Sequence, residues 1–472
     1  MSNGSIAERR KKILYEPRIA RLILELSIPL FISGSLQSIY GIADTFWLSR
    51  LGSAALGTPT VSWPYRGVLG AIGFGLASTL SALAGQYIGA GDYRKASKSV
   101  SQVFGLLTVI GIIGTAVFYV LRGYYLDLTH APPDVAALAN KYIAVTLLGL
   151  PFMYFFLVFN FTLGSAGDTK TPMKISVSTS LLNFALDPVL IFTLKLGVFG
   201  AALATLISGM AAGLYGLYSL ITGRHGIRIT LRDMIPDPEI YRLIARIGGP
   251  TTVQRLLTTL GFLVMMRIVN GLGTPIVAAY SIGQVVLSID HIIVFPLVRS
   301  TSIIVAQSLG AGLLERAKRA FHTGFRLMMT LITLYIVFLV VFRDPFIRVF
   351  TSDPQVAEAA SRMLLIFGPS VIGFDLTVLA GAIARSSGHT LLVSAVGTAR
   401  LWLMRIPFSY YLAYVRRLGD TGLWWGMALS NWITGAVLVA WLFTYRWLKP
   451  VIKEAPAGKG REYVEKPAPL TG

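Results

Sequence analysis

The sequence contains no cysteine. That absence excludes disulfide bridges and thiolate metal sites. Only five histidines are present, scattered along the chain, so neither a metal-ligand cluster nor a nucleophile beside its base can be assembled, and an enzyme is not expected. Acids are scarce as well: 22 Asp and Glu stand against 42 Lys and Arg. Charged residues of both signs make up 14% of the 472, while 54% are apolar. This balance lies outside that of soluble domains and makes the bilayer the expected solvent.

Uncharged stretches long enough to cross hydrocarbon recur along the chain, among them 103–121, 142–167, 196–223 and 423–445. Twelve helices are expected, with Pro29 and Pro151 as bending points. The basic segment 1–21 has no signal-peptide core or cleavage site, so the apolar run from Leu22 is expected to stay as the first span. Under this topology most basic residues, including Arg9, Arg10, Lys11, Lys12, Arg94, Lys95, Arg228, Arg232, Arg316 and Lys318, share the side of the two termini. The positive-inside rule then places both termini in the cytoplasm and accounts for the net charge of +20 without nucleic acid.

The chain resembles itself. Gly85-Gln-Tyr-Ile-Gly-Ala-Gly91 matches Ala306-Gln-Ser-Leu-Gly-Ala-Gly312, and the same offset takes Pro29 to Pro250, Leu51-Gly52 to Leu272-Gly273, and Gly167-Asp-Thr to Gly388-His-Thr. Such internal similarity marks transporter folds built from repeats. The expected organisation is a basic N-terminal segment (1–21), a lobe of six helices (22–222), a cytoplasmic linker (223–238), a second six-helix lobe (239–447) and a C-terminal tail (448–472). Six is even, so corresponding helices run the same way, and the pseudo-two-fold axis lies along the membrane normal. A cleft between the lobes, with access alternating across it, follows as an expectation.

Ionisable residues inside a membrane are costly, so each is a functional candidate. Ser33, Gln37, Tyr40 and Asp44 share one face of the first span, and Asn183 and Asp187 share one face of the fifth. At ~1.5 Å per residue both acids fall in the outer half of the first lobe. Two carboxylates close together in low dielectric share a proton or capture a cation. With Thr205 of the sixth span, the set would suit Na⁺ or H⁺, and the residues do not separate the two. The plainer alternative is that Asp44 caps its helix near Arg50 and that Asn183 and Asp187 bond neighbouring helices. Tyr142 and Asn160 of the fourth span would face the same cavity or make interhelical bonds. In the second half, Arg400 and Arg405 are expected to neutralise Asp375, and His291 is expected to be a hydrogen-bonded interior residue.

These residues resemble the multidrug and toxic compound extrusion (MATE) family along nearly the whole chain. The likeness rests on the Pro29 region with Gln37 to Asp44 and Leu51-Gly52, on the doubled Gln-x-x-Gly-Ala-Gly elements, and on Gly164-Ser-Ala-Gly-Asp-Thr with Pro172. Asn183-Phe-Ala-Leu-Asp-Pro188 and Gly197-Val-Phe-Gly-Ala-Ala look like the archaeal and DNA-damage-inducible-like branch. The resemblance implies an all-α membrane protein with twelve helices in two lobes around a V-shaped cleft, exporting amphipathic, cationic or aromatic drug-like compounds against Na⁺ or H⁺, with no further cofactor. It implies an ion-responsive centre at Asp44, Asn183, Asp187 and Thr205, and a drug cavity lined by Gln37, Tyr40, Tyr142 and Asn160. Asp375 matches a coupling acid of another branch, but the acid expected with it in the seventh helix is replaced by Arg255 and Arg267. A plasma-membrane monomer is expected. A flippase of lipid-linked oligosaccharides from the same superfamily is the alternative.

Overall fold

The computed structural model describes residues 5–452. The greater part of the C-terminal tail, 453–472, and residues 1–4 lie outside the described residues. Among the described residues, eleven helices are long and apolar enough to cross a bilayer, and two more, Pro133–Leu147 and Leu150–Ser165, form one span bent by 50°. In chain order the spans are α1 (Ile19–Ser49), α2 (Ser53–Ala90), α3 (Tyr93–Thr129), α4 (the bent pair), α5 (Lys170–Thr193), α6 (Gly197–Thr222), α7 (Pro238–Asn270), α8 (Thr274–Gly310), α9 (Leu314–Val341), α10 (Pro354–Ser387), α11 (Thr390–Val415) and α12 (Gly419–Phe443). The molecule is a multi-pass, all-helical membrane protein.

Proline chemistry shapes several of these helices. Pro151 has no N–H to donate to the Leu147 carbonyl, and α4 bends at this point. The Thr115 hydroxyl of α3 takes over that carbonyl at 3.2 Å. Pro250 frees the Arg246 carbonyl in the same way, and the Thr390 hydroxyl, which donates to the Ile247 carbonyl at 2.8 Å, lies 3.3 Å from it. Pro29 lies inside an unbroken helix, since α1 continues through it from Ile19 to Ser49. After Pro188, α5 widens into a π-helical turn at Val189–Thr193, a feature that often accompanies functional sites.

Two large cores divide the protein, and each borrows a helix from the other half. Ile19, Leu22, Ile23 and Leu26 of α1 pack in the core formed by the second half, while Ile244 and Ile247 of α7 pack in that of the first. The exchange obeys the repeat. Ser27 of α1 donates to Ser300 and lies on Pro296 of α8, and its counterpart Gly248 of α7 rests on Thr79 and Gly75 of α2.

The doubled glutamine motif latches the two halves. Gln86 donates from Nε2 to the Ser386 carbonyl at 2.9 Å, and Gln307 donates to the Ser165 carbonyl at 2.6 Å, a pair related by the repeat offset. Beside them the helices touch backbone to backbone. A Cβ on Gly89 would lie 2.0 Å from the Gln307 carbonyl oxygen, and one on Gly310 would lie 1.8 Å from that of Gln86, so only glycine fits at either position.

Both ends of the described chain meet this seam. Ser5 and Glu8 form a capping box that starts a helix at Ile6–Tyr15, inside the segment read from sequence only as basic. Arg10 of that helix donates to the Gly89 carbonyl at 2.9 Å, and the Gln86 side-chain oxygen accepts from Val451 N at 2.8 Å. The two ends of the described chain therefore share one face. Hydrogen bonds between the helices of the two halves cluster toward it, so the protein is closed on this side.

Candidate functional site

In the first lobe, α1, α2, α4, α5 and α6 bring polar side chains together inside the helix bundle. Asp187 is fully buried and Asn183, one turn earlier on α5, is 2% exposed. Asn183 donates from Nδ2 to Ser208 Oγ of α6 at 3.2 Å, and Ser208 passes its own proton to the Ala204 carbonyl. Tyr40 of α1 approaches Thr205 Oγ1 at 3.5 Å. Thr205 donates to the Ala201 carbonyl, so the phenol is the donor of that pair. Asp44, one turn beyond Tyr40, lies within electrostatic reach of Asp187, and Tyr142 of α4 is buried beside them.

Several acceptors of the arrangement are met by no donor. Asp44 Oδ1, Asn183 Oδ1 and both carboxylate oxygens of Asp187 are buried with no hydrogen-bond partner. Four acceptor oxygens without donors are expensive unless a proton or a cation joins them. Among the described residues no three His, Cys, Asp or Glu side chains gather for a metal ion, so a cation here would meet two acids and neutral oxygens. Trp47 screens the group, with its ring centroid 6.3 Å from Phe184 and 5.9 Å from Phe192.

Sequence reasoning missed Arg66 of α2. Its charge acts on Asp44 and on Tyr142, and with Thr146 and Thr205 it lines a cavity of ≈ 180 Å³. Asp187 is buried with no cation beside it among the described residues, and the charge that reaches it is that of Asp44. The alternative of Asp44 bound to Arg50 is not what forms, since the Arg50 guanidinium lies over the Phe46 ring at 5.0 Å. Gln37 is exposed on α1.

Asn160 does not join this centre. Its side-chain and backbone carbonyls both accept from Arg299 of α8, which turns it toward a second cavity, of ≈ 310 Å³, between the lobes. Arg255, Arg299 and Arg385 line that cavity with Phe74, Phe161 and Phe295, and so does Ser165, whose carbonyl accepts from Gln307. The cavity lining is cationic, opposite to what a cationic cargo would select.

The second lobe also departs from expectation. Asp375 and Asp290 of α8 are both fully buried and lie within electrostatic reach of one another, and none of their four carboxylate oxygens has a hydrogen-bond partner among the described residues. Arg400 and Arg405 do not neutralise Asp375. They sit on a π-helical stretch, Arg400–Arg405, turned toward α12, where both donate to Asn431 Oδ1, at 2.9 and 2.6 Å, and Arg405 also reaches Ser430. His291 is not hydrogen-bonded as expected but rests against the Phe295 and Phe374 rings. Two carboxylates facing each other carry a signal that spacing within one helix cannot give, because Asp290 and Asp375 come from different spans.

Comparison with known proteins agrees with the repeat. The MatE family profile matches residues 29–189 and 250–411, one match in each half. A probable multidrug resistance protein of Bacillus subtilis, YoeA, is 26% identical over 445 residues, covering 93% of this chain and 96% of that protein. An FAD transporter of Shewanella oneidensis is 28% identical over 439 residues, covering 92% and 96%. Among solved structures, a MOP superfamily transporter from Pyrococcus furiosus, described as having a binding pocket of reverse polarity, superposes with a TM-score of 0.86 at 24% identity over 92% of this chain and 97% of its own. An outward-facing multidrug resistance MATE transporter gives 0.84 at 24% identity, covering 90% and 95%.

Proposed function

Because the chain belongs to the MatE family of membrane transporters, we propose that it is a secondary active exporter of small amphipathic compounds, of the multidrug efflux kind, driven by Na⁺ or H⁺ entry. The observation that carries the coupling is the set of four buried acceptor oxygens on Asp44, Asn183 and Asp187 that lack any donor. Arg66 offsets the charge of Asp44, which leaves Asp187 as the group that an incoming cation or proton must satisfy. Thr205, Tyr40 and Tyr142 complete the rim. Ion arrival would remove a buried negative charge from the first lobe and change how α1, α5 and α6 pack. Because α1 also belongs to the core of the other lobe, that repacking reaches the latch between them. Asp375, paired with Asp290, is the second-lobe candidate for the same chemistry. The protein is read as a plasma-membrane monomer with both termini in the cytoplasm, as the basic bias of that face supports.

Reconstitution in liposomes tests the coupling. Na⁺ and H⁺ gradients are imposed separately, and fluorescent amphiphiles of both charges are followed with wild type, Asp44→Asn and Asp187→Asn. Wild type should respond to one gradient, and Asp187→Asn should lose that response. Transport by both variants at the wild-type rate under either gradient would refute the coupling role. Export of lipid-linked oligosaccharides is a second reading, favoured by one observation, the three arginines between the lobes. It predicts no transport of any soluble amphiphile.

A further inference from the structure

The central cavity carries a charge that the first-lobe centre does not explain. Arg255, Arg299 and Arg385 come from α7, α8 and α10, and no acid lines the space they share. Among the described residues none of the three forms an ion pair. They are close enough that Arg385 feels the charges of both others. Each guanidinium offers five N–H donors in a fixed fork. Arg299 commits one nitrogen to Asn160, while Arg255 and Arg385 donate nothing to the described protein.

Aromatic faces hold these cations in place. The Arg255 guanidinium lies 3.4 Å from the Phe74 centroid, Arg385 lies 5.9 Å from the same ring, and Arg299 lies 5.2 Å from Phe161. Cation–π contact orients a guanidinium without neutralising it. Three oriented, unpaired forks converging on open space form a receptor for a planar or tetrahedral oxyanion, which accepts two parallel hydrogen bonds from each fork it meets. A volume of ≈ 310 Å³ lies at the lower end of small-molecule pockets, about 300–1,000 Å³.

We propose that this cavity is the cargo site and that the cargo is an organic anion, a phosphate or carboxylate borne on an aromatic or apolar body. The proposal rests on the transport reading and names its substrate class, in place of the cationic compounds that the family resemblance implies. It also separates cargo from coupling ion: the anion occupies the arginines between the lobes, the cation occupies the acids inside the first lobe, and the two do not compete for one carboxylate. The latch joins Gln307 to Ser165, which lines the site; in this proposal cargo leaves by the far face while the latch is closed and enters from the terminal face when it opens.

Equilibrium binding to the purified protein in zwitterionic nanodiscs tests this. The probes are 1-naphthyl phosphate, 1-naphthoate and 1-naphthylmethylammonium, one ring with three head groups. Wild type should bind the phosphate and the carboxylate at least about tenfold more tightly than the ammonium, and Arg255→Gln and Arg385→Gln should each weaken phosphate binding about tenfold or more. Arg255→Lys should recover part of the loss, and thermal unfolding of each variant identifies any that misfold. Equal or tighter binding of the ammonium, or unchanged phosphate binding by folded glutamine variants, overturns the proposal. A second arm places phosphatidate in the nanodisc. Competition with naphthyl phosphate assigns the site to a lipid phosphate, and its absence assigns it to a soluble one. No gradient is applied, so failure here leaves the ion-coupling reading standing, and failure of coupling in liposomes leaves this binding intact.

Discussion

Replacing Gly310 by alanine should open the latched face of the protein. The added Cβ would sit 1.8 Å from the Gln86 carbonyl oxygen, where real contacts essentially never fall below 3.0 Å, and the obstacle is backbone rather than a movable side chain. The two helices must part by more than an ångström. Overpacking of this kind costs about 1–3 kcal/mol, and the cost falls only on the conformer in which α2 and α8 touch. The ratio of open to closed molecules should therefore rise roughly 5- to 150-fold. Gly89→Ala faces the Gln307 carbonyl at 2.0 Å and should act in the same direction. The chain has no cysteine, so Arg94→Cys and Glu315→Cys, exposed and related by the repeat, can carry the only spin labels. Electron–electron distance measurements in nanodiscs should show a longer population on adding either alanine. An unchanged distance distribution in both variants, with unfolding still cooperative, would show that the glycines do not govern closure.

Asn431→Ala leaves two buried guanidiniums without their shared acceptor and should destabilise the protein by about 2–3 kcal/mol, seen as a lower melting temperature in detergent. Asn431→Asp keeps the acceptor, adds a counter-charge and should not. On the terminal face, burial holds the His225 pKa below its ordinary 6.5, with Arg9 and Arg224 adding to the effect and Asp168 opposing it. A depressed histidine pKa means stability that is present above pH 6.5 and is lost as pH falls through the lower folded value. Amide exchange in the helix Ile6–Tyr15, whose Arg9 shares Asp168 with His225, should accelerate below that pH. His225→Gln should remove the dependence.

Much of the architecture was readable because membrane helices announce themselves by length and apolarity, and each expected span overlaps an observed helix. The glutamine–glycine repeats were visible as a duplication, but their use as a latch was not, since it depends on which carbonyl each amide meets across the lobes. The Ser5 to Glu8 capping signature is present in the sequence, but in a segment dominated by basic charge it does not by itself announce a helix. Asp44, Asn183 and Asp187 were found from helical spacing. Arg66 was not, because a lone arginine among apolar neighbours gives no hint of its partner. Pairing between distant spans defeated the reading of the second half: Arg400 and Arg405 turn toward Asn431 on a π-helical stretch, and Asp375 meets Asp290 instead.

The fastening of both ends of the described chain to one seam has a practical corollary. Arg10 holds the Gly89 carbonyl and Val451 holds Gln86, so in the proposed transport cycle the described chain is unclipped near both of its ends before cargo can be loaded. Turnover then reports the speed of that unclipping as much as the chemistry of the pump.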